Sequence, residues 1–350
     1  MPSQIFAVTV TYNNRFHLLK KVVEATLKEG VDKVIVVDNN STPESREKLK
    51  KYQKKNRKVD VIYLPDNLGS AGGFKKGLEK AYKDPECRFI WLLDDDNKPE
   101  PGSLKKLKKH WTKLKEEKLA IASYRENYRI NYIEALLYKD PGKVLGRKNS
   151  FIFNFHILDI PKYMKKLILG RLNIREKDDS KIPNSGQITV APYGGLFFNK
   201  KLLDVIGYPN EKLYLYCDDY EWTYRITDKG GKIILLMDAR VDDIDKSWHV
   251  TDKKETLLSM FSPLNNFRIY YGIRNEFYFR IKHRVDNKFV YYLNCLILLL
   301  IILFHNMITI KDITPFKTAL TAIKDARKNR LGIKPQFKPE NNINDFGIQK

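Results

Sequence analysis

Cysteine is scarce and scattered: Cys87, Cys217 and Cys295 are the three in 350 residues, and none sits in a CxxC or a Cys/His ligand pattern. That argues against a disulfide framework and a structural zinc site and suits a reducing compartment. Acid is short against base, with 42 Asp+Glu facing 64 Lys+Arg for a formal charge of +22. Such an excess favours anionic partners, whether nucleic acid, lipid headgroups or phosphorylated substrates, and composition does not choose among them. RNP, zinc-finger and helix-turn-helix patterns are missing, which speaks against nucleic acid. No charged segment followed by an apolar one stands near Met1, so the working end is expected to stay in the cytosol. Long apolar runs are absent until Phe289–Ile310. The apolar fraction of 43% and aromatic fraction of 12% fit a globular chain, long enough for one large domain or two ordinary ones.

What is present first is alternation. Ile5–Val10, Val34–Val37, Val59–Leu64 and Phe89–Leu93 read as short, continuously apolar strands. Helical patterns fall between them at 16–29, after Ser41-Thr42-Pro43-Glu44, and at 71–82. This is the pattern of a parallel α/β sheet covered on both faces, in which ligands sit beyond the carboxyl ends of the strands. Polar clusters lie there: Thr11–Arg15, Asp38–Thr42, Asn67–Gly73 and Asp94–Asn97. A helix is expected over 103–118 and an irregular insertion, a candidate acceptor-binding segment, over 124–187. A strand follows over Ile188–Phe198, then helices near 200–206 and from Asp218, and a strand over Lys232–Met237. The tail mixes aromatic and basic residues from Tyr270 to Arg284. Phe289–Ile310 is borderline in length for a membrane span and flanked by Arg284, Lys288 and Lys311, which suits an interfacial or re-entrant helix as well; a buried hairpin or self-association is the alternative.

Asp94-Asp95-Asp96 ends an apolar strand. Carboxylates packed together are costly unless a cation neutralises them, and oxygen ligands suit magnesium or manganese; a solvated acidic turn is the plainer alternative. Asp38 could accept from a ribose or base, or serve as a helix cap. The glycine-rich turn Asn67-Leu68-Gly69-Ser70-Ala71-Gly72-Gly73 could bring backbone amides to a phosphate or sugar, although it matches neither GxGxxG nor GxxxxGK[ST]. Asp218-Asp219-Tyr220-Glu221-Trp222 opens a helix, where a carboxylate is either a cap or a general base for an attacking hydroxyl. His249, in Ser247-Trp248-His249, is a metal-ligand candidate on the strength of the acidic clusters.

In this order Val8–Asn13, Val37–Thr42, Asn67–Phe74, Asp94–Asp96 and Asp218–Glu221 resemble the family 2 glycosyltransferases of GT-A fold, over roughly residues 5–280. The form Asn-x-Gly-x-Ala-Gly-Gly is most similar to galactofuranosyl- and rhamnosyltransferases. Gln-x-x-Arg-Trp, the mark of processive synthases in that family, is absent.

The resemblance implies a GT-A catalytic domain over residues 1–265 and a helical, membrane-associating region over 266–350. It implies inverting transfer from a nucleotide sugar, UDP-galactofuranose first and dTDP-rhamnose second, to a glycan or lipid-linked glycan at the cytoplasmic face of a membrane. Thr11, Arg15, Asp38, Asn67, Gly69, Gly72, Gly73 and Asp95 would line the donor site. Asp94, Asp96 and His249 would hold manganese or magnesium, Asp219 would be the base, and Gly194, Gly195, Asp218, Glu221 and Trp222 would lie toward the acceptor. The rival classes are a basic nucleic-acid-binding protein and a nucleotidyltransferase, the latter lacking its glycine-rich N-terminal loop.

Overall fold

The computed structural model describes residues 4–114, 117–126, 130–161, 182–245, 258 and 260–337. The chain divides into two compact units, residues 1–144 with 183–250 and residues 145–182 with 251–350.

The first unit is built on a nine-stranded sheet. Its strands are β1 (Gln4–Asn13), β2 (Lys33–Ser41), β3 (Val59–Tyr63), β4 (Cys87–Asp94), β5 (Asn97–Pro99), β6 (Leu119–Tyr124), β7 (Ser185–Ile188), β8 (Leu196–Asn199) and β9 (Lys232–Asp243). They lie in the order β3-β2-β1-β4-β8-β6-β9-β5, with β7 also on β9. β1 to β4 form a parallel block, as the strand–helix alternation requires. β8 enters antiparallel between β4 and β6, and β6 pairs parallel with β9.

Because side chains alternate across a strand, each helix meets only one set of residues. Leu19, Val22 and Val23 of α1 (Phe16–Lys28), Leu49 of α2 (Pro43–Lys55) and Leu104 and Leu107 of α4 (Ser103–Lys113) pack with Ala7, Val34, Val36, Trp91 and Leu93. There Phe89 stacks on Phe197 at 5.2 Å, with Trp111 edge-on to both. On the opposite face α3 (Gly69–Lys83) presses against Val8, Val10 and Val37. The start of α2 follows its sequence: Thr42 is the N-cap, its side chain accepting from the Ser45 amide, and Pro43 fills the first turn.

Register brings the strand ends level. Val10 lies opposite Asp94, Thr11 opposite Asp38, and Asn97 opposite Asp243. Three expected elements differ. The strand expected over Ile188–Phe198 is two, β7 and β8, divided by a segment holding Pro192 and Gly195, the latter at φ 93°. β9 continues past Met237 to Asp243, with Ala239 and Val241 buried between exposed Asp238, Arg240 and Asp242. The helix expected to Lys118 stops at Lys113. Within 124–187, residues 130–137 form α5 of the first unit, residues 145–161 belong to the second, and residues 183–187 return to the first. The first unit is completed by α6 (Leu202–Ile206) and α7 (Asp218–Asp228).

The second unit contains α8 (Asn266–His283), α9 (Lys288–His305), continued by a π-turn over Asn306–Ile310, and α10 (Thr314–Arg327). Tyr270 of α8 donates to Asp325 of α10 at 2.8 Å. Arg280, buried on α8, ties down the segment 145–154 by donating to Ser150 Oγ (2.7 Å), Asn154 Oδ1 (2.6 Å) and the Leu145 carbonyl.

Candidate active site

At the carboxyl ends of β1, β4, β6 and β9 the sheet gathers charge. Asp94, Asp95 and Asp96 come from β4 and the turn after it, Asp243 and Asp245 from the end of β9. Two guanidiniums face them. Arg15 reaches Asp95 at 3.0 Å, Asp96 at 2.9 Å and Asp245 at 2.6 Å, and lies over the Tyr12 ring. Arg125 reaches Asp243 at 2.5 Å and Asp94 at 3.4 Å. Thr11 Oγ1 donates to Asp95 (2.8 Å), and Asn97 Nδ2 donates to Asp96 and Asp243. Five carboxylates against two guanidiniums leave the cluster net negative among the described residues. Burial, followed by the Asp95 and Asp94 charges, pushes the Asp96 carboxyl up to about 7. Burial does the same to Asp94, up to about 6, against the attraction of Arg125.

Asp94 keeps 36% of its side-chain surface, so the cluster opens to solvent there. Gly194 forms part of that opening. A Cβ on it would stand 1.8 Å from Asn97 Oδ1, 2.6 Å from Asp94 Oδ2 and 2.8 Å from Arg125 Nη1. Gly195 follows at φ 93°, its amide donating to Leu92. Oxygen donors of this kind fit a hard divalent cation. Among the described residues no three His, Cys, Asp or Glu are gathered as a metal group, and Asp96 and Asp94 pair with Arg15 and Arg125. His249 lies outside the described residues.

The second acidic group enters from α7. Tyr214, Tyr216 and Cys217 all take left-handed backbone, φ 68°, 64° and 58°, in the turn that delivers Asp218 and Asp219. Non-glycine residues rarely adopt it, and such strain gathers at functional sites. Asp218 is buried and accepts from Ser70 Oγ at 2.8 Å. Asp219 is partly exposed, and Oδ1 accepts the Tyr220 amide. Its carboxyl is raised well above the ordinary range by burial, then by the charges of Asp218 and Asp94, so the two acidic groups share one field.

Other expected site residues are placed differently. Asp38 is fully buried, with Ser41 N–H on one oxygen and Arg46 Nε at 2.5 Å on the other. The glycine turn is closed on itself: Leu68 N–H binds Asn39 Oδ1, Gly69 N–H binds Asn67 Oδ1 and Ala71 N–H binds the Tyr214 carbonyl. Gly69 is required at φ 70° under the Tyr214 carbonyl, and Gly73 and Gly77 let α3 touch Val10 and Val8. Gly72 is buried with its own Leu68 beneath it. Glu221 and Trp222, expected toward the acceptor, are buried. Glu221 pairs with Arg225, and the fully buried Trp222 packs on Tyr193 and Phe198 while donating to the Gly207 carbonyl at 2.9 Å.

Sequence reasoning placed Asn97 at the ligand edge without a role and missed Arg125, Asp243 and Asp245. For the last two the signal was the alternation Asp238–Asp242, which extends β9 to the ligand edge.

Residues 6–155 match the profile of glycosyl transferase family 2. The chain is 24% identical over 290 residues to the dTDP-rhamnosyl transferase RfbF of Shigella flexneri, spanning 81% of this chain and 82% of that one. It is 25% identical over 238 residues to the galactofuranosyltransferase GlfT1 of Mycolicibacterium smegmatis, spanning 65% and 66%. Among solved structures, residues 1–349 of S. aureus TarS superpose with a TM-score of 0.47 at 15% identity, over 93% of this chain and 92% of that one.

Proposed function

We propose, from the premise that a chain carrying a family 2 glycosyltransferase domain over residues 6–155 is a glycosyltransferase, that it transfers a sugar from a pyrimidine nucleoside diphosphate with inversion. The observation that carries the chemistry is Asp219: a partly exposed carboxylate of raised pKa, at the start of α7 and in the field of the Asp94 cluster. Asp219 accepts the proton of an acceptor hydroxyl while that oxygen bonds to the anomeric carbon. The bond from that carbon to the diphosphate oxygen breaks on the opposite side, so configuration inverts and the nucleoside diphosphate leaves. Asp94 and Asp96 would hold a divalent cation, manganese or magnesium, with His249 the further candidate. Such an ion, when bound, supplies positive charge for the departing diphosphate. Arg15 pairs with Asp95, Arg125 with Asp94, and Thr11 fixes Asp95.

UDP-galactofuranose is the donor favoured by the turn sequence, and the broader match to a dTDP-rhamnosyl transferase favours dTDP-rhamnose as the second reading. The acceptor class is a glycan or lipid-linked glycan, met at the cytoplasmic face of a membrane. Nucleotide release from both donors, with manganese or magnesium, tests this. Metal-dependent release from one donor, abolished in Asp94→Ala, is expected. Turnover of neither donor, with no nucleotide-induced rise in melting temperature, would overturn the assignment.

A further inference from the structure

The helix α9 is two-faced in an unusual way, because both faces are apolar and only one is covered. Tyr291, Asn294, Cys295, Leu298 and Ile302 are buried. Phe289, Leu293, Leu296, Leu300, Phe304 and Ile308 recur at helical spacing on the other side and are exposed, Phe289 by 76% and Ile308 by 72%. No Asp, Glu, Lys or Arg occurs between Lys288 and Lys311. A contiguous apolar stripe of this length left open to water marks a docking surface.

The covered face shows how the helix is held. Asn294 donates from Nδ2 to the Asn149 carbonyl and accepts at Oδ1 from the Ile157 amide, both at 2.9 Å, and Asn306 donates to the Phe261 carbonyl at 3.1 Å. Drawing Lys288–Ile310 into hydrocarbon as a span would strand those groups without partners. Beside the stripe lies charge: Lys317, Lys324, Arg327 and Lys328 share the exposed face of α10 with Leu320, and the Arg327 guanidinium sits 6.0 Å from the centroid of exposed Tyr292. Apolar side chains edged by lysine and arginine complement a bilayer whose surface carries anionic headgroups.

We infer that the second unit docks in the plane of an anionic membrane, with the Phe289–Ile308 stripe among the acyl chains and the α10 basic residues at the headgroups. This goes beyond the proposed reaction and is read by binding rather than turnover, so it stands or fails independently of the donor.

The test is flotation of the purified full chain with vesicles of phosphatidylcholine alone or mixed with phosphatidylglycerol, at low and high salt, beside sedimentation of the chain without lipid. Binding to the mixed vesicles, at least about tenfold weaker on pure phosphatidylcholine and weakened by salt, is expected. Leu296→Glu/Leu300→Glu should abolish flotation. Lys317→Glu/Lys324→Glu, at exposed positions, should lower it about tenfold or more while leaving the thermal unfolding midpoint unchanged. No flotation of the parent chain, or flotation indifferent to both double variants, would overturn the inference. A lipid-free dimer dispersed by Leu296→Glu/Leu300→Glu, with no vesicle binding, would assign the stripe to a second copy instead.

Discussion

Replacing Gly77 by alanine adds one methyl at the tightest helix–sheet approach of the first unit. The added Cβ would stand 2.4 Å from Val8 Cγ1 and 3.2 Å from Val37 Cγ2, where carbon atoms normally rest about 3.5–4.0 Å apart. Val8 cannot yield easily, being paired to Ile35 on one side and Leu92 on the other and fully buried. Overpacking of this kind costs about 1–3 kcal/mol, and alanine returns up to about 1 kcal/mol as a better helix former. The net expectation is a loss of about 1–2 kcal/mol. Val8→Ala removes the clashing methyl at its own cost of about 1–3 kcal/mol, and the double variant should be more stable than the sum of the two losses by about 1 kcal/mol. The described tryptophans, at 91, 111 and 222, fall in the first unit, so urea unfolding followed by tryptophan fluorescence reports on that unit. A Gly77→Ala chain as stable as the parent, or strict additivity with Val8→Ala, would refute close packing as the reason for the glycine.

Asp219→Asn should lower turnover about 10²–10⁴-fold while nucleotide still raises the melting temperature; loss of both responses would make Asp219 structural. Since burial raises its folded pKa above the unfolded value, its contribution to stability is complete below the unfolded pKa and lost as pH rises through the folded one, while the basic form is gained over that interval. kcat/KM should therefore climb with pH above the ordinary carboxylate range of about 4, and a limb centred there would contradict the assignment. Arg46→Met leaves Asp38 buried without its cation and should cost about 3 kcal/mol in urea unfolding, the low end for a broken buried pair because Arg46 is 24% exposed; a loss under about 1 kcal/mol would show Asp38 to be satisfied otherwise. Gly194→Ala places a methyl on Asn97 and Asp94 and should reduce nucleotide release by more than tenfold, about 1.4 kcal/mol in the barrier; unchanged release would place the reaction elsewhere.

The parallel block was legible because Val34–Val37 and Ile90–Leu93 are apolar on both faces, and each is followed at once by carboxylates. Chain-local signals sufficed for that, as they did for the Thr42 cap and for the opening of α7 at Asp218. Roles that depend on distant partners were not legible. Asp38 is fixed by Arg46 eight residues on, across a strand end, and nothing in Val37-Asp38-Asn39 tells a nucleoside contact from an internal pair. Gly73 closes a turn that in sequence could meet a phosphate or sugar, but its neighbour is Val10, more than sixty residues earlier. The arginines that balance Asp94–Asp96 come from β1 and β6, and Asp243 joins through the β5–β9 register, which exists only once the sheet is closed.

That last dependence bears on how the protein is made on the ribosome. β1 to β4 are complete by residue 94 and can pair as they emerge, whereas β6 waits for β8 and β9, synthesised about seventy and a hundred residues later. Until residues 232–243 leave the exit tunnel, Arg125 has no Asp243 and Asn97 has no register partner. The nascent chain thus carries its first acidic cluster as an unfinished half until the strand that closes the sheet has arrived.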